Sequence, residues 1–437
     1  MAIHKKLLAT GAIAGTLALT LAACGGGGSD DPTAAPTNDS GELSGELTVW
    51  AWDQTIADVA EAFTAEHPDV TVDVVNVGTG NDQYIALQNA VAAETGGPDL
   101  AQIEYFAVPQ FSIGGALADI GPMGASELDG TFTTGPWSAL SQGDSVWGLP
   151  LDSGPMALFY NTEVFEKYDV DVPTTWDEFL EAARTLKEND VYLINDTGDA
   201  GFTTSMMWQA GGRPYEVNDT TVSVDFTDEG SKQFAEMWQT MIDEDLLAPI
   251  GSWSDEWYQG LGDGTIASLV IGAWMPGNLE SGVPDGAGKW AVADMPQWNE
   301  GEFVTAENGG SSMAVMEGSD QKALAYEFVE FASAGEGIDI RVEGGAFPAT
   351  VETLNEPGFL DREFEYFGGQ KVNEVLSKAA GGVGEGWQYL PFQVYANSIF
   401  NDYGADAYNG NTPLADAFVQ WGDASATYGE QQGFTIQ

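Results

Sequence analysis

The sequence predicts an α/β protein that is folded into two lobes. Three observations support this prediction. Residues 46–105 alternate between strand-like and helix-like segments, which is typical of a parallel sheet covered by helices. About 390 residues remain after the N-terminal segment, and this length is enough for two domains. A strand-like segment at residues 147–161 is interrupted by Pro150 and by Gly154-Pro155, which indicates a crossing between lobes.

The first strand-like segment is ELTVWAWD at residues 46–53, where side chains alternate after Gly45. A helix is predicted next, because apolar residues recur at helical spacing from Ile56 to Phe63 and the pattern stops before Pro68. The elements predicted after it are, in order, a strand at 71–77, a helix at 84–95 and a strand at 99–105.

A helix start is predicted at Thr175 in the second half of the chain. Glu178 lies three positions later, so the two residues can form a capping box ahead of an apolar periodicity that runs to Leu186. The elements predicted further on are a helix at 231–247, strand-like segments at 265–274, 291–296 and 311–316, a helix at 322–333, and a helical C-terminal part from residue 365.

The N-terminus carries the features of an export signal. Lys5 and Lys6 precede an apolar run that ends in small residues, so residues 1–23 are predicted to be a signal peptide. The sequence Leu-Ala-Ala-Cys ending at Cys24 resembles a bacterial lipobox, which implies lipidation of the only cysteine in the chain. An ordinary secretory signal with an unrelated cysteine is the alternative. Residues 24–45 are rich in Gly, Ser, Thr, Pro and acidic residues, and they predict a flexible linker.

The charge balance restricts the partners of this protein. The chain has 68 acidic and 13 basic residues, for a formal net charge of −55. Nucleic acid is excluded as a partner because its recognition requires a basic surface, and phosphorylated substrates are disfavoured for the same reason. The acidic balance is consistent with a saline or acidic habitat. The 43% hydrophobic content indicates a folded chain rather than a disordered acidic one.

The order of several motifs resembles the extracellular solute-binding proteins of carbohydrate ABC importers, the maltose-binding-protein-like group. The motifs in this chain are ELTVWAWD, GGPDLAQIEYFAVPQF, LPLDSGPMALFYNTEVFEKYDVDVPTTWDEF, WQAGG, GTIASLVIGAWMPGNL, ENGGSSMAV and GGAFPA. The resemblance runs from about residue 46 to the C-terminus. It implies the two-lobed periplasmic-binding-protein-like fold of type II, in which each lobe is a central sheet flanked by helices and hinge strands join the lobes.

The resemblance also implies where the chain crosses between the lobes. Crossings are expected near Asp152–Met156, near Asn308–Ser312 and after about Val351. The first lobe would then comprise residues 46–152 and 312–355, and the second lobe residues 157–307 and 360–437.

Candidate ligand-binding residues of the first lobe lie where strands end, because ligands of open α/β sheets bind at the carboxyl ends of strands. They are Trp52 and Asp53, Asn81 and Asp82, Glu104 and Tyr105, and Asp152 at the crossing. Aromatic faces stack on sugar rings, and carboxylates and amides bind hydroxyls. A core position is the alternative for Trp52, and a hinge hydrogen bond is the alternative for Asp152. Simple turn chemistry is the alternative for the Asn81-Asp82 pair.

The candidate ligand-binding residues of the second lobe and the hinge depend more on the family resemblance than those of the first lobe do. The resemblance assigns a stacking role to Trp274. The further candidates are Trp208, Trp257, Gly309, Gly310, Phe347, Trp387, Gln388 and Tyr389. Trp208 lies on a predicted helix and could equally be part of the core. Gly309 and Gly310 could allow close approach of a ligand or serve only the hinge.

The sequence contains no recognisable catalytic or cofactor motif. Its two histidines, His4 and His67, cannot form a metal cluster or a Ser-His-Asp site, and GxSxG and phosphate-loop motifs are absent. No cofactor and no metal are therefore expected, and an enzyme is not expected.

The resemblance implies a monomeric binding protein, anchored by lipid to the outer face of the bacterial cytoplasmic membrane. It would capture a neutral mono- or oligosaccharide and deliver it to the transmembrane subunits of an ABC permease. A secreted glycoside hydrolase and a surface lectin are the alternatives. A hydrolase would need two carboxyl groups about 5–10 Å apart across a bound sugar, and a lectin would have a shallow site that does not close.

Overall fold

A computed structural model of the chain describes Ala35, Thr37 and residues 41–437. The predicted signal peptide, Cys24 and most of the predicted linker lie outside the described residues, so lipidation stays a prediction. In the described part of the chain, no helix combines the length and the apolar character needed to cross a membrane.

A five-stranded sheet forms the centre of the N-terminal lobe. In spatial order its strands are Val70–Val75, Gly45–Trp50, Leu100–Glu104, Ser311–Val315 and Leu149–Pro150. The first three strands are parallel, and Ser311–Val315 runs antiparallel to both of its neighbours. The parallel strand–helix–strand pattern predicted for residues 46–105 is confirmed.

Helices cover both faces of this sheet because successive strand residues point to opposite sides. Leu100 packs in the core under the helix Thr55–Glu66, whereas Ala101 packs with Leu87 on the other face. The helix Thr55–Glu66 buries its predicted apolar residues, from Ile56 to Phe63. The other helices of this lobe are Asn81–Ala93, Val108–Ile113, Thr134–Leu140, Lys322–Ala334 and Gly337–Glu343.

The second lobe is built around the three-stranded antiparallel sheet Ser268–Gly272, Met156–Asn161 and Trp290–Ala293. Its central strand alternates in the same way, since Leu158 belongs to one core cluster and Phe159 to another. Smaller sheets accompany it, with the strands Ile194–Asn195, Tyr215–Asn218, Thr221–Val224, Leu247–Ala248 and Thr435–Ile436. The first lobe also carries the short pair Ser141–Gln142 and Ser145–Val146.

Helices make up about half of the second lobe. The capping box predicted at Thr175 is confirmed, because its hydroxyl accepts from the backbone N–H of Glu178 and the carboxylate of Glu178 accepts from the backbone N–H of Thr175. The helices are Thr162–Tyr168, Trp176–Lys187, Ala200–Gln209, Glu229–Asp243, Asp255–Asp263, Met275–Gly282, Val351–Leu354, Pro357–Leu360, Val372–Ala380, Gln393–Tyr408 and Leu414–Gln431.

Two of the chain crossings pair with each other to form the hinge. The N–H of Asn308 donates to the carbonyl of Gly154 at 2.8 Å, and the N–H of Met156 donates to the carbonyl of Ala306 at 3.0 Å. Gly309 and Gly310 follow with φ angles of +83° and +90°, which residues other than glycine rarely adopt. The first two crossings therefore form a short antiparallel ribbon between the lobes.

The third crossing lies beside the first one. Phe347 and Leu354 pack in the core of the second lobe, whereas Ala349 packs in that of the first. The N–H of Ser153 donates to the carbonyl of Phe347 at 3.2 Å. Leu354 thus packs with the second lobe although the predicted division gives it to the first. The exact lobe boundaries stay a prediction.

Replacing Gly154 with alanine is expected to destabilise the protein by about 1–3 kcal/mol, the usual cost of an overpacked site. An added Cβ would lie 2.3 Å from the carbonyl oxygen of Asn308, so the two hinge strands must separate. The melting temperature measures this cost. Gly277→Ala is the matched control, because a Cβ at that exposed helical position meets no atom within 4 Å. A Gly154→Ala protein that melts with its parent would contradict the expectation.

Candidate ligand-binding site

A cavity of about 410 Å³ lies between the two lobes beside the hinge, and we call it the first cavity. The first lobe contributes Glu104 and Phe106, at the end of its third strand. The hinge contributes Glu307, Asn308 and Gly309. The second lobe provides most of the wall, through some of the residues in each of the segments 194–205, 252–274 and 389–401.

Three tryptophans form one aromatic wall of the first cavity. The ring of Trp253 lies 5.5 Å from that of Trp274 and 4.9 Å from that of Trp257. Trp257 is buried, and its indole N–H donates to the side chain of Asn195 at 2.8 Å. The indole N–H of Trp274 donates to the carbonyl of Asn308 at 2.7 Å, so this ring is attached to the hinge. Trp257 and Trp274 were both predicted as ligand-binding residues, and both line the cavity.

Trp253 is the residue of this wall that sequence reasoning missed. Its side chain is 48% exposed, which is high for a tryptophan that contacts two others. Its backbone has a φ of +69°, an unusual conformation for a bulky residue that often marks a functional position. An aromatic residue in the polar loop GSWSDEW was the available signal, but the loop lacks a periodicity that would have drawn attention to it.

Two carboxyl groups also line the first cavity, those of the partly buried Glu104 and the buried Glu307. Burial raises the pKa of Glu104 to about 7, although the hydroxyl of Tyr84 donates to its carboxylate at 2.8 Å. Burial also raises the pKa of Glu307 to about 7, and the nearby Asp152 acts in the same direction. Partly protonated carboxyl groups can donate as well as accept hydrogen bonds, which suits the hydroxyl groups of a neutral ligand.

Glu307 also connects the hinge to the cavity. One carboxylate oxygen accepts from the hydroxyl of Ser153 at 2.8 Å, and the other accepts from the N–H of Gly154 at 2.6 Å. Its backbone carbonyl accepts from the hydroxyl of Ser205 at 2.7 Å. Sequence reasoning selected the neighbouring glycines of the ENGGSS motif and missed this residue.

A second cavity of about 310 Å³ lies further along the space between the lobes. Four predicted residues line it, namely Trp208, Trp387, Gln388 and Tyr389, and Tyr389 also lines the first cavity. The buried rings of Trp208 and Trp387 stack on each other at 5.2 Å and 6° between planes. The ring faces that stack on each other in this pair are therefore not available to a ligand. Gln388 exchanges two hydrogen bonds with the backbone of Val217.

The predicted residues at the ends of the first two strands line neither cavity. Trp52 is partly buried, and its N–H donates to the side chain of Gln102 at 3.0 Å. Asp53 accepts from the N–H and the hydroxyl of Thr55 and forms an ion pair with the buried Arg341 at 3.2 Å. Asn81 and Asp82 are the first two residues of the helix Asn81–Ala93, and both are exposed. A ligand contact from these four residues stays a prediction.

Four other predicted residues belong to the hinge or the core in this structure and line neither of the two cavities. Tyr105 is buried, and its hydroxyl donates to the carbonyl of Asp152. The carboxylate of Asp152 accepts from the backbone and the hydroxyl of Ser311, which is the hinge hydrogen bond named as its alternative role. A Cβ on Gly310 would lie 2.5 Å from the ring of Tyr105. Phe347 is buried at the third crossing.

A model of the bacterial extracellular solute-binding protein family matches residues 51–337. The chain belongs to this family. The family resemblance expected from the motifs is confirmed, and so is the two-lobed α/β fold. This solute-binding protein has curated relatives that it matches over most of their length.

Two of these relatives carry names that state a ligand. The solute-binding protein is 29% identical to the lactose-binding protein of Rhizobium radiobacter, over 76% of this chain and 81% of that protein. It is 26% identical to the arabinooligosaccharide-binding protein of Halalkalibacterium halodurans, over 85% of each chain.

Two solved structures with bound sugars are similar to the solute-binding protein. One is the ABC transporter associated binding protein from B. animalis subsp. lactis Bl-04 in complex with β-1,6-galactobiose; it is 43% identical, with a TM-score of 0.80 over 90% of this chain and 100% of that one. The other is the galacto-N-biose-/lacto-N-biose I-binding protein of the ABC transporter from Bifidobacterium longum in complex with lacto-N-biose. It is 26% identical, with a TM-score of 0.79 over 90% and 99% of the two chains.

The alternatives of a glycoside hydrolase and of a surface lectin find no support among these proteins. The relatives are binding proteins rather than enzymes. In the described residues, no group of three or more His, Cys, Asp or Glu side chains could hold a metal ion.

Proposed function

We propose that this solute-binding protein captures a neutral mono- or oligosaccharide in the first cavity and delivers it to the transmembrane subunits of an ABC importer. The observation that carries this proposal is its 43% identity, over the whole of that chain, to an ABC transporter associated binding protein in complex with β-1,6-galactobiose. A disaccharide that contains galactose is therefore the first candidate ligand.

The chemistry of the first cavity supports a sugar. The faces of Trp253 and Trp274 offer flat apolar surfaces on which a sugar ring can stack. The carboxyl groups of Glu104 and Glu307 and the side-chain amides of Asn397 and Asn401 can supply directional hydrogen bonds. The chain also has few basic side chains, which disfavours a phosphorylated ligand.

Calorimetric titration of the purified full chain in detergent tests the proposal. The panel contains β-1,6-galactobiose, lactose, lacto-N-biose, an arabinooligosaccharide and, as the contrasting class, a glycerol phosphate. Binding of at least one neutral sugar without its hydrolysis is expected. Binding of the phosphate alone, or release of free monosaccharide during the titration, would contradict the proposal.

We further propose that a lipid on Cys24 holds the protein at the outer face of the cytoplasmic membrane, where it acts as a monomer. One or more buried acyl chains would supply about 0.8 kcal/mol per methylene group. Replacing Cys24 with serine is expected to release the protein into the medium or to leave the precursor uncleaved. Cell fractionation measures this outcome. A Cys24→Ser protein that stays in the membrane fraction with its signal removed would contradict the anchor.

A further inference from the structure

The first and second cavities meet at a single side chain. Among the residues that line them, only Tyr389 borders both. The second cavity is formed by both lobes, as the first one is. The helices Val108–Ile113 and Thr134–Leu140 border it from the first lobe, and the segment 384–388 borders it from the second. The two cavities are therefore adjoining parts of the same interlobe space.

The ring of Tyr389 stands between the lobes as a wall. It packs against the first lobe's core cluster, which contains Tyr105 and Ala107, and also against the main core of the second lobe. On the second lobe it meets the stacked indole pair edge to face, 6.4 Å from Trp208 and 6.1 Å from Trp387. The side chain is only partly buried, because it also borders both cavities.

The second cavity has a lining that suits sugar units. Its polar side chains include those of Ser138, Gln142, Asp219, Glu385 and Gln388, and its apolar surface includes Trp147 and Ile113. No lysine or arginine is among the residues that line it, and the nearby guanidinium of Arg213 already donates to the carbonyl of Glu385. Hydroxyl, amide and carboxylate groups next to an aromatic ring form the same combination as in the first cavity.

We propose that Tyr389 divides one carbohydrate-binding cleft into two parts and thereby sets the length of the sugar that binds. The first cavity holds the disaccharide end of the ligand. The second cavity accepts the additional units of a longer oligosaccharide only when the ring of Tyr389 does not block the passage. This inference rests on the proposed sugar-binding function.

Tyr389→Ala in the full chain tests the inference. The two ligands are the disaccharide of the panel that binds most tightly and the tetrasaccharide of the same sugar and linkage. Compared with the parent, the affinity for the tetrasaccharide relative to the disaccharide is expected to rise at least tenfold, since the passage between the cavities opens. An unchanged ratio would overturn the inference. Failure of the parent to bind any sugar would instead refute the proposed function, and the inference would fall with it.

Two further variants locate the additional sugar units. Ser138→Trp places a large ring in the second cavity at an exposed position, so the disaccharide affinity of the parent should change less than twofold. In the Tyr389→Ala protein, Ser138→Trp should abolish the gain for the tetrasaccharide. A gain that persists would overturn the inference, because the extra units would then lie elsewhere. Tyr389→Leu replaces Tyr389→Ala if the alanine variant does not fold, as judged by its melting temperature.

Discussion

Replacing Trp274 with alanine is expected to weaken sugar binding by about 30- to 1000-fold, which corresponds to about 2–4 kcal/mol. The loss has two physical sources. The variant lacks the apolar face on which a sugar ring would stack, and it leaves Trp253 without its neighbour at 5.5 Å. It also removes the indole donor to the carbonyl of Asn308, so the hinge strand next to the cavity loses a support.

The affinity and the melting temperature of the Trp274→Ala protein should be measured together. Trp298→Ala is the matched control, because Trp298 is a partly buried tryptophan of the same lobe that packs on Trp176 and lines neither cavity. The control should melt earlier and bind like its parent. The same behaviour in the Trp274→Ala protein would show that this ring is structural and would remove it from the site.

Glu307 is expected to make the protein less stable as the pH rises from about 5 to 8. Its pKa in the folded state is raised to about 7 from an ordinary value of 4.5, so the folded protein holds this proton more tightly than the unfolded chain does. As the pH rises, the unfolded chain therefore loses this proton before the folded protein does, and the free energy of unfolding falls steadily up to about pH 7. The linked loss is on the order of 3 kcal/mol and is complete above the folded-state pKa.

Glu307→Gln should flatten this dependence, since an amide of similar shape does not titrate. The free energy of unfolding, measured with denaturant at pH 5 and pH 8, should fall less in the variant than in the parent. Glu302→Gln is the control, because Glu302 is an exposed residue of the neighbouring loop. Burial also raises the pKa of Glu104 to about 7 and that of Asp196 to about 6, so some dependence will persist in the variant. Equal slopes for the parent and the Glu307→Gln protein would contradict the prediction.

The secondary structure could be predicted wherever the chain carries a periodic signal. The buried stripe from Ile56 to Phe63 and the capping box at Thr175 each depend only on residues close together in sequence. Both are present in the structure. Which strands pair is not a local property. The insertion of Ser311–Val315 between two strands from much earlier in the chain has no signal in its own residues. For these distant pairings, the family resemblance supplied the only indication.

The site was predictable where a strand or a motif positions the side chain. Glu104 lies at a strand end and Trp274 follows one, and both border the first cavity. Tyr105 comes one residue after Glu104, but the chain turns there into a single helical turn that directs the ring into the core. Trp253 lies in an irregular loop, where no periodicity tells which way a side chain faces. Only the tertiary structure could identify it.

The position of Ser311–Val315 in the first sheet affects how the chain folds. This strand lies between Leu100–Glu104 and Leu149–Pro150 and pairs with both, so the sheet cannot be completed until about residue 315 has been synthesised. Contacts between residues so far apart in sequence slow folding, because a long loop must close before they form. The nascent chain thus stays without a finished N-terminal core for most of its synthesis. A chain in that state can still be threaded through a translocation channel before it folds.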